Sequence, residues 1–192
     1  EKMTMKKILL PEGKIPFVMS QDDVNYYDYM DGEGFATKIV IGKDGKPTCE
    51  YIQKDGTVVT GEYDLVPVLD RFVEEHLDFS YRGAKAILAI TGYEGTLGYE
   101  TAPYRYDEVK HLVGLSADEK KAMLASEKEA CREVVAALKA DGYEFASHSY
   151  GHGNMQTNSV EKFKYDMNRW MDEVGSLLGE TDVFIYPFGA DI

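Results

Sequence analysis

Two histidines, His148 and His152, lie four residues apart in the segment Gly-Tyr-Glu-Phe-Ala-Ser-His-Ser-Tyr-Gly-His. Two neutral imidazoles and one carboxylate are a common ligand set for a catalytic zinc that keeps an open coordination position. A His-x-x-x-His spacing also arises by chance, often as two exposed side chains on one helix face. The flanking glycines and serines favour an irregular loop over a helix interior here. The pair therefore indicates two ligands of a metal site, which needs a carboxylate as the third.

Two adjacent acids, Asp22 and Asp23, end the apolar run Ile-Pro-Phe-Val-Met-Ser-Gln that starts at Ile15. This run predicts a first buried strand that carries both carboxylates to the edge where the histidines lie. Because adjacent strand residues point in opposite directions, one carboxylate can bind a metal while its neighbour acts as a general base. The alternative is that the acids only open a turn or cap the next segment, which is the commoner role of such pairs.

The elements that must position these residues alternate between strands and helices. Helical spacing of apolar residues predicts helices over 64–78, 116–140 and 159–178, and apolar runs predict buried strands over 84–91 and 143–147. This alternation predicts an α/β fold with a parallel sheet and crossover helices. Between about 33 and 62, alternating residues and glycine turns predict a small antiparallel insertion after the first strand.

In order and spacing, these motifs resemble the polysaccharide deacetylases of carbohydrate esterase family 4, also called the NodB-homology domain. Ser-Gln-Asp-Asp at 20–23 is similar to the first motif of that family, although the usual Thr-Phe is replaced by Ser-Gln and the usual Gly by Val24. His-Ser-Tyr-Gly-His at 148–152 fits the second motif at every fixed position. Pro-Phe-Gly at 187–189 matches part of the third, in which Ile185 stands where the family usually has Arg.

The resemblance implies a role for each matching residue. Asp23, His148 and His152 are expected to bind a divalent metal, most often zinc, and Asp22 is expected to be the catalytic base. The backbone N–H of Phe188 is expected to stabilise the oxyanion of the tetrahedral intermediate. The activity implied is that of a metal-dependent hydrolase that removes acetyl groups from an N- or O-acetylated polysaccharide such as peptidoglycan, a chitin-like glycan or a xylan-like glycan.

The fold that the resemblance implies is a distorted (β/α) barrel of the NodB-homology type, in one catalytic domain spanning residues 1–192. The family also has a late histidine that acts as general acid, and no counterpart is visible in this sequence. His76 and His111 are predicted to be surface residues instead. Because the strand-like segment 183–186 lies close to Ile192, we expect the barrel to be truncated at its C-terminal end.

Tyrosine-rich loops after the first and second predicted strands of the parallel sheet suit a glycan groove. Sugar rings bury apolar C–H surface on aromatic faces while the phenol hydroxyl keeps its hydrogen bonds. Tyr93, Tyr99 and Pro187 are predicted to contact substrate on this interpretation. Ordinary packing of long loops on the sheet edge is the alternative, and Trp170, on the apolar face of the last helix, is predicted to pack against the sheet.

The composition narrows the classes of partner. A net charge of -13 disfavours nucleic acid and anionic membrane surfaces, because their phosphates would be repelled. The sequence contains no run of about 18 apolar residues, so it predicts no transmembrane span. We expect an extracellular or cell-envelope location, with any signal or anchor removed before Glu1. Cys49 and Cys131 lie in different elements, and both a disulfide bridge and two separate buried thiols are compatible with the sequence.

Two other functions are compatible with these residues. A non-catalytic glycan-binding or scaffold relative would retain the metal site, and Ile185 together with the missing late histidine favours it. An unrelated barrel hydrolase could use the same ligands to cleave another amide or a phosphoester. The sequence leaves open which polysaccharide is the substrate, whether the acetyl group is on nitrogen or oxygen, and which oligomeric state the protein adopts.

Overall fold

A computed structural model describes residue 7, residues 9–109 and residues 112–190 of the chain. The strands are β1 (Ser20–Gln21), β2 (Lys38–Ile41), β3 (Pro47–Ile52), β4 (Val58–Gly61), β5 (Ile87–Ile90) and β6 (Glu144–Ser147). The α-helices are α1 (Leu65–Glu75), α2 (Arg105–Glu108), α3 (Ala117–Ala140), α4 (Val160–Trp170) and α5 (Ser176–Leu178). A π-helical turn, Met171–Gly175, joins α4 to α5, and short 3-10 turns cover Asp28–Met30 and Pro187–Gly189.

The parallel sheet is built around β5, with β1 on one side and β6 on the other. The segment after α5 continues the sheet beyond β6, because Phe184 forms a parallel bridge with Ser147. The helices that connect these strands confirm the predicted α/β class. Within the described residues the sheet stays open, so a closed barrel is not observed.

The start of the sheet differs from the sequence prediction. The buried first strand expected from Ile15 onward is wrong, because only Ser20–Gln21 pair with β5. Ile15, Phe17 and Val18 are 89%, 71% and 78% exposed. Backbone pairing begins at Met19, whose carbonyl accepts the Ile87 N–H at 3.0 Å. The apolar side chains that precede Met19 consequently stay outside the core, although the chain still delivers the two acids to the sheet edge.

Helix α3 is the longest element, and its limits follow from local chemistry. Ser116 accepts a hydrogen bond from the Glu119 N–H and the Glu119 carboxylate accepts one from the Ser116 N–H, which together form a capping box. The helix buries Cys131, Val134, Val135 and Leu138 against the sheets. The prediction of a helix over 116–140 is confirmed.

The predicted meander is confirmed as the antiparallel sheet β2–β3–β4. It is part of the core, because Ile39 and Cys49 are fully buried and the Ile39 N–H bonds the Leu97 carbonyl at 3.1 Å. Both cysteines are free thiols, and burial raises the pKa of each to about 12. Trp170 is buried as predicted, and its indole N–H donates to the Ile90 carbonyl at 2.7 Å. None of the helices in the described segments has the length and apolarity needed to cross a bilayer.

The turn between α3 and β6 depends on Gly142, which has a φ of +96° and whose added Cβ would lie 1.9 Å from the Gly83 carbonyl oxygen. Gly142→Ala should therefore destabilise the protein by at least about 3 kcal/mol, from left-handed strain and overpacking together. Gly45→Ala is the matched control, because Gly45 has a φ of +81° and open space around it. It should cost about 1 to 2 kcal/mol. Urea unfolding measures both, and equal losses would contradict this account of the turn.

Candidate metal centre

The end of β5 is the template on which the site is assembled. The Ala89 carbonyl accepts the Val24 N–H at 3.3 Å, and the Ile90 carbonyl accepts the His148 N–H at 3.0 Å. Val24 directly follows the acid pair, and His148 directly follows β6. The two backbone hydrogen bonds therefore bring Asp23 and His148 to the same edge, although 125 positions of sequence numbering separate them.

The structure brings together the three residues predicted to bind a metal. Asp23 Oδ1 lies 3.6 Å from His152 Nε2 and 4.0 Å from His148 Nε2. One ligand atom from each residue falls within 4.8 Å of the others, a separation that one cation can bridge. The side chain of His148 is 2% exposed, that of His152 is 21% exposed and that of Asp23 is 36% exposed. The group is thus anchored on one buried imidazole and open to solvent on the carboxylate side.

The surroundings of these atoms fit a cation. His148 Nδ1 lies 2.8 Å from the Ile185 carbonyl oxygen, so this nitrogen carries the proton and Nε2 has a free lone pair that faces Asp23. Asp23 Oδ1 is buried and has no hydrogen-bond partner among the described residues. A buried carboxylate oxygen without a partner is costly unless a cation or water satisfies it. Two imidazoles and a carboxylate are ligands that zinc accepts readily.

Several residues of the site occupy the left-handed backbone region without being glycine. Asp23, Ser149, His152 and Phe188 have φ values of 57°, 60°, 50° and 61°. This conformation costs of order 1 to 3 kcal/mol for each such residue and persists only where the surroundings enforce it. The concentration of strained backbone around the Asp23, His148 and His152 side chains is typical of a functional site.

Hydrogen bonds hold the loop at residues 148–153, the histidine loop, in this strained conformation. Asp166 on α4 accepts the backbone N–H groups of Tyr150 and Gly151 at 2.7 and 2.8 Å. Ser149 Oγ accepts the Gly153 N–H at 3.0 Å. Sequence reasoning did not identify Asp166, because an acid on an amphipathic helix looks like an ordinary surface residue.

The candidate ligands Asp23, His148 and His152 form a triad. Asp22, the expected base, and Phe188, the expected oxyanion donor, are each adjacent to one of these ligands, Asp22 in sequence and Phe188 through its ring. Asp22 is exposed and makes no hydrogen bond to any described residue. The ring of Phe188 is 69% exposed and contacts His152, with centroids 4.4 Å apart. Its backbone N–H has no acceptor in the described part of the chain, and Pro187 beside it is buried. Asp22 and the Phe188 N–H are consequently both available to a ligand.

The predicted substrate tyrosines divide into two groups. Tyr93 is half-buried, and its hydroxyl lies 2.8 Å from the Tyr27 hydroxyl. Burial raises the pKa of Tyr27 most, followed by the hydrogen bond to Tyr93 and the negative charge of Asp23. Tyr99 is instead a core residue, 7% exposed, with the Lys38 ammonium 4.4 Å from its ring centroid. Its place in the core excludes Tyr99 from an open glycan surface.

Ile185 stands at the position that usually holds an arginine in the family that this chain resembles. The Ile185 backbone carbonyl, rather than its side chain, makes the contact with His148. His76 is exposed, with its ring 4.4 Å from that of Phe72, and His111 lies outside the described residues. Among the described histidines, therefore, only the metal-site pair lies at the triad.

Comparison with known proteins gives one match. The family model described as Polysaccharide deacetylase matches residues 111–191, somewhat less than half of the chain. This match confirms the resemblance, and it covers the two histidines, Pro187 and Phe188 but not the acid pair at 22–23. No curated protein and no solved structure matches the chain. The contribution of the acids accordingly depends on the geometry of the site.

Removal of either imidazole should abolish metal binding. We expect the wild-type protein to bind close to one zinc ion per chain after dialysis, and His148→Ala and His152→Ala to retain almost none, because two remaining ligands do not hold the ion. His76→Ala is the control and should match the wild type, since His76 directly follows α1, packs against Phe72 and does not belong to the candidate metal group. Elemental analysis measures the stoichiometry. Unchanged zinc content in both site variants would exclude this triad as the binding site.

Proposed function

We propose that this protein is a metal-dependent deacetylase that acts on an acetylated polysaccharide, and the premise is the polysaccharide deacetylase match over residues 111–191. The observation that carries the proposal is the convergence of Asp23, His148 and His152, whose ligand atoms lie within 4.8 Å of one another. Of the three proposed ligands, the family match covers only the two histidines. The position of Asp23 beside them is therefore an independent observation. Zinc is the metal that suits this ligand set best.

In this proposal Asp23, His148 and His152 hold the cation, which would polarise the acyl carbonyl and lower the pKa of a water molecule toward about 7 when bound. The hydrogen bond from His148 Nδ1 to the Ile185 carbonyl keeps the imidazole oriented for this task. Because the acceptor is a backbone atom of the segment that pairs with β6, the orientation does not depend on the side chain at position 185.

Asp22 is the proposed general base. Its carboxylate is exposed, makes no hydrogen bond to any described residue and directly precedes the proposed ligand Asp23. It would accept the proton of the water whose oxygen forms a bond to the acyl carbon. When the bond to the sugar nitrogen or oxygen breaks, the same carboxyl can return that proton to the leaving group, so that acetate and a deacetylated sugar result. This assignment needs no additional histidine.

The Phe188 backbone N–H is the proposed oxyanion donor. It has no acceptor among the described residues, and the ring of the same residue contacts that of the proposed ligand His152, which supports this assignment. A fixed N–H aimed at developing negative charge stabilises the tetrahedral intermediate without reorganisation. The left-handed conformation of Phe188 is consistent with this role, since it sets the direction of the N–H at a cost in backbone energy.

The substrate class follows from the family and from the surface. Half-buried Tyr27 and Tyr93 offer ring faces and hydroxyls of the kind that bind sugars. A polysaccharide substrate of the peptidoglycan, chitin-like or xylan-like kind would place the protein outside the cell or in the cell envelope.

A glycan-binding or scaffold function without turnover is the second candidate. Two observations favour it: Ile185 replaces the usual arginine, and no third described histidine lies near the triad. Glycan binding without acetate release, measured in the presence of zinc, would support this alternative.

Asp22→Asn should separate catalysis from metal binding. We expect acetate release from acetylated chito-oligosaccharides or acetylated xylan to fall at least about 100-fold, because an amide cannot accept the proton. Zinc content should stay at the wild-type level. Asp172→Asn, the same change at an exposed residue of the π-helical turn, is the control and should keep full activity. Acetate release that survives Asp22→Asn would refute the assignment of the base.

A further inference from the structure

A cavity of about 260 Å³ adjoins the histidine loop. Gly151 and Gly153, the two neighbours of His152, line it. Its wall is otherwise mainly aromatic and basic, and the side chains that matter here are Tyr93, Tyr104, Tyr150, Tyr165, Lys162 and Arg169.

The two basic side chains of the cavity have unused hydrogen-bond donors. The Lys162 ammonium makes no ion pair or hydrogen bond with any described residue. Arg169 donates through Nε to Glu173 at 2.9 Å, and its terminal nitrogens have no acceptor in the described part of the chain. The guanidinium lies 4.0 Å from the ring centroid of Tyr150 and 5.2 Å from that of Tyr104. Arg169 is thus oriented by Glu173 and two rings while its terminal fork stays free.

The acids near the cavity are already occupied. Both Asp166 oxygens accept backbone N–H groups of the histidine loop, at 2.7 and 2.8 Å. Glu173 accepts the Tyr150 hydroxyl at 2.7 Å through one oxygen and Arg169 through the other. Each of these four carboxylate oxygens thus has a donor within the protein, whereas the Lys162 ammonium and the terminal nitrogens of Arg169 have no acceptor among the described residues, in a protein whose net charge is -13.

We propose that this cavity is a subsite for a carboxylate-bearing sugar residue, so that the polysaccharide substrate is acidic. The free fork of Arg169 matches a carboxylate in a bidentate geometry, and the Lys162 ammonium adds a second cation. The tyrosine faces suit the sugar ring that bears the carboxylate. The inference depends on the proposed function for its choice of a glycan ligand.

The position of the cavity connects it to the reaction site. Tyr93 lines the cavity, and its hydroxyl lies 2.8 Å from that of Tyr27, which follows Asp23 by four positions in the chain. Gly151 and Gly153, which also line the cavity, are the residues directly before and after His152. A glycan that places one sugar in the cavity would hold an adjoining sugar, with its acetyl group, near the triad.

Binding to the metal-free protein tests the subsite without any dependence on turnover. Calorimetry at low salt should show trigalacturonate binding at least about tenfold more tightly than neutral chitotriose, since charge-assisted hydrogen bonds are about twice as strong as neutral ones. Lys162→Met and Arg169→Lys should each weaken trigalacturonate binding by about five- to tenfold and leave chitotriose binding unchanged. Arg169→Lys keeps the charge and removes only the planar fork.

Lys164→Met is the matched control, because it removes the same charge from an exposed residue of the same helix that does not line the cavity. It should bind trigalacturonate like the wild type. Equal effects of Lys162→Met and Lys164→Met would reveal only a general charge effect and overturn the proposal, as would equal affinity for the two ligands. A disaccharide with a lactyl carboxylate, tested in parallel, distinguishes a uronic acid from a lactyl ether as the source of the carboxylate.

The outcomes for the subsite and for the deacetylase are distinguishable. If the wild-type protein releases no acetate but binds trigalacturonate selectively, the deacetylase proposal is refuted and the subsite proposal is retained. Acetate release from neutral and acidic substrates with equal efficiency, together with unselective binding, would refute the subsite alone. Circular dichroism of the Arg169 and Lys162 variants verifies that each is folded before its affinity is compared.

Discussion

The whole site depends on the pairing of β5 with its two parallel neighbours. The last two carbonyls of β5 bind the backbone directly after the acid pair and directly after β6. The Ile90 carbonyl also accepts the indole N–H of Trp170, which ties α4 to the same point. Because side chains alternate along a strand, a register shift of one residue would turn Asp23 or His148 away from the triad. The core residues of β5, which are almost fully buried, keep that register fixed.

The elements that the sequence predicted well are those in which local pattern and tertiary packing agree. The helix over 116–140 was predicted from the spacing of its apolar residues, and the structure shows that one face of α3 is buried and that a capping box starts the helix. The meander follows from its alternating residues and its Gly-containing turns. The histidine pair became a candidate metal site through its spacing together with the acid pair at 22–23, and the structure places both imidazoles beside Asp23.

The elements that the sequence did not predict depend on contacts that no local pattern encodes. The apolar run that starts at Ile15 looks like a buried strand, but burial requires a neighbouring element and pairing starts only at Met19. Tyr99 looked like a loop aromatic suited to sugar, yet the approach of the loop to Lys38 places it in the core. Neither the Asp166 contacts nor the use of the Ile185 carbonyl is visible in the sequence, because both join residues that are distant along the chain.

Helix α4 carries three groups of different purpose on one rigid body. Trp170 is its anchor in the core, Asp166 fixes the backbone of the histidine loop, and Lys162 faces the neighbouring cavity. Asp166 thus ties this helix to the loop that carries His152. If the cavity binds a glycan and the three ligands hold a cation, as proposed, any coupling between the two sites is reciprocal, and each ligand alters the binding of the other by the same factor.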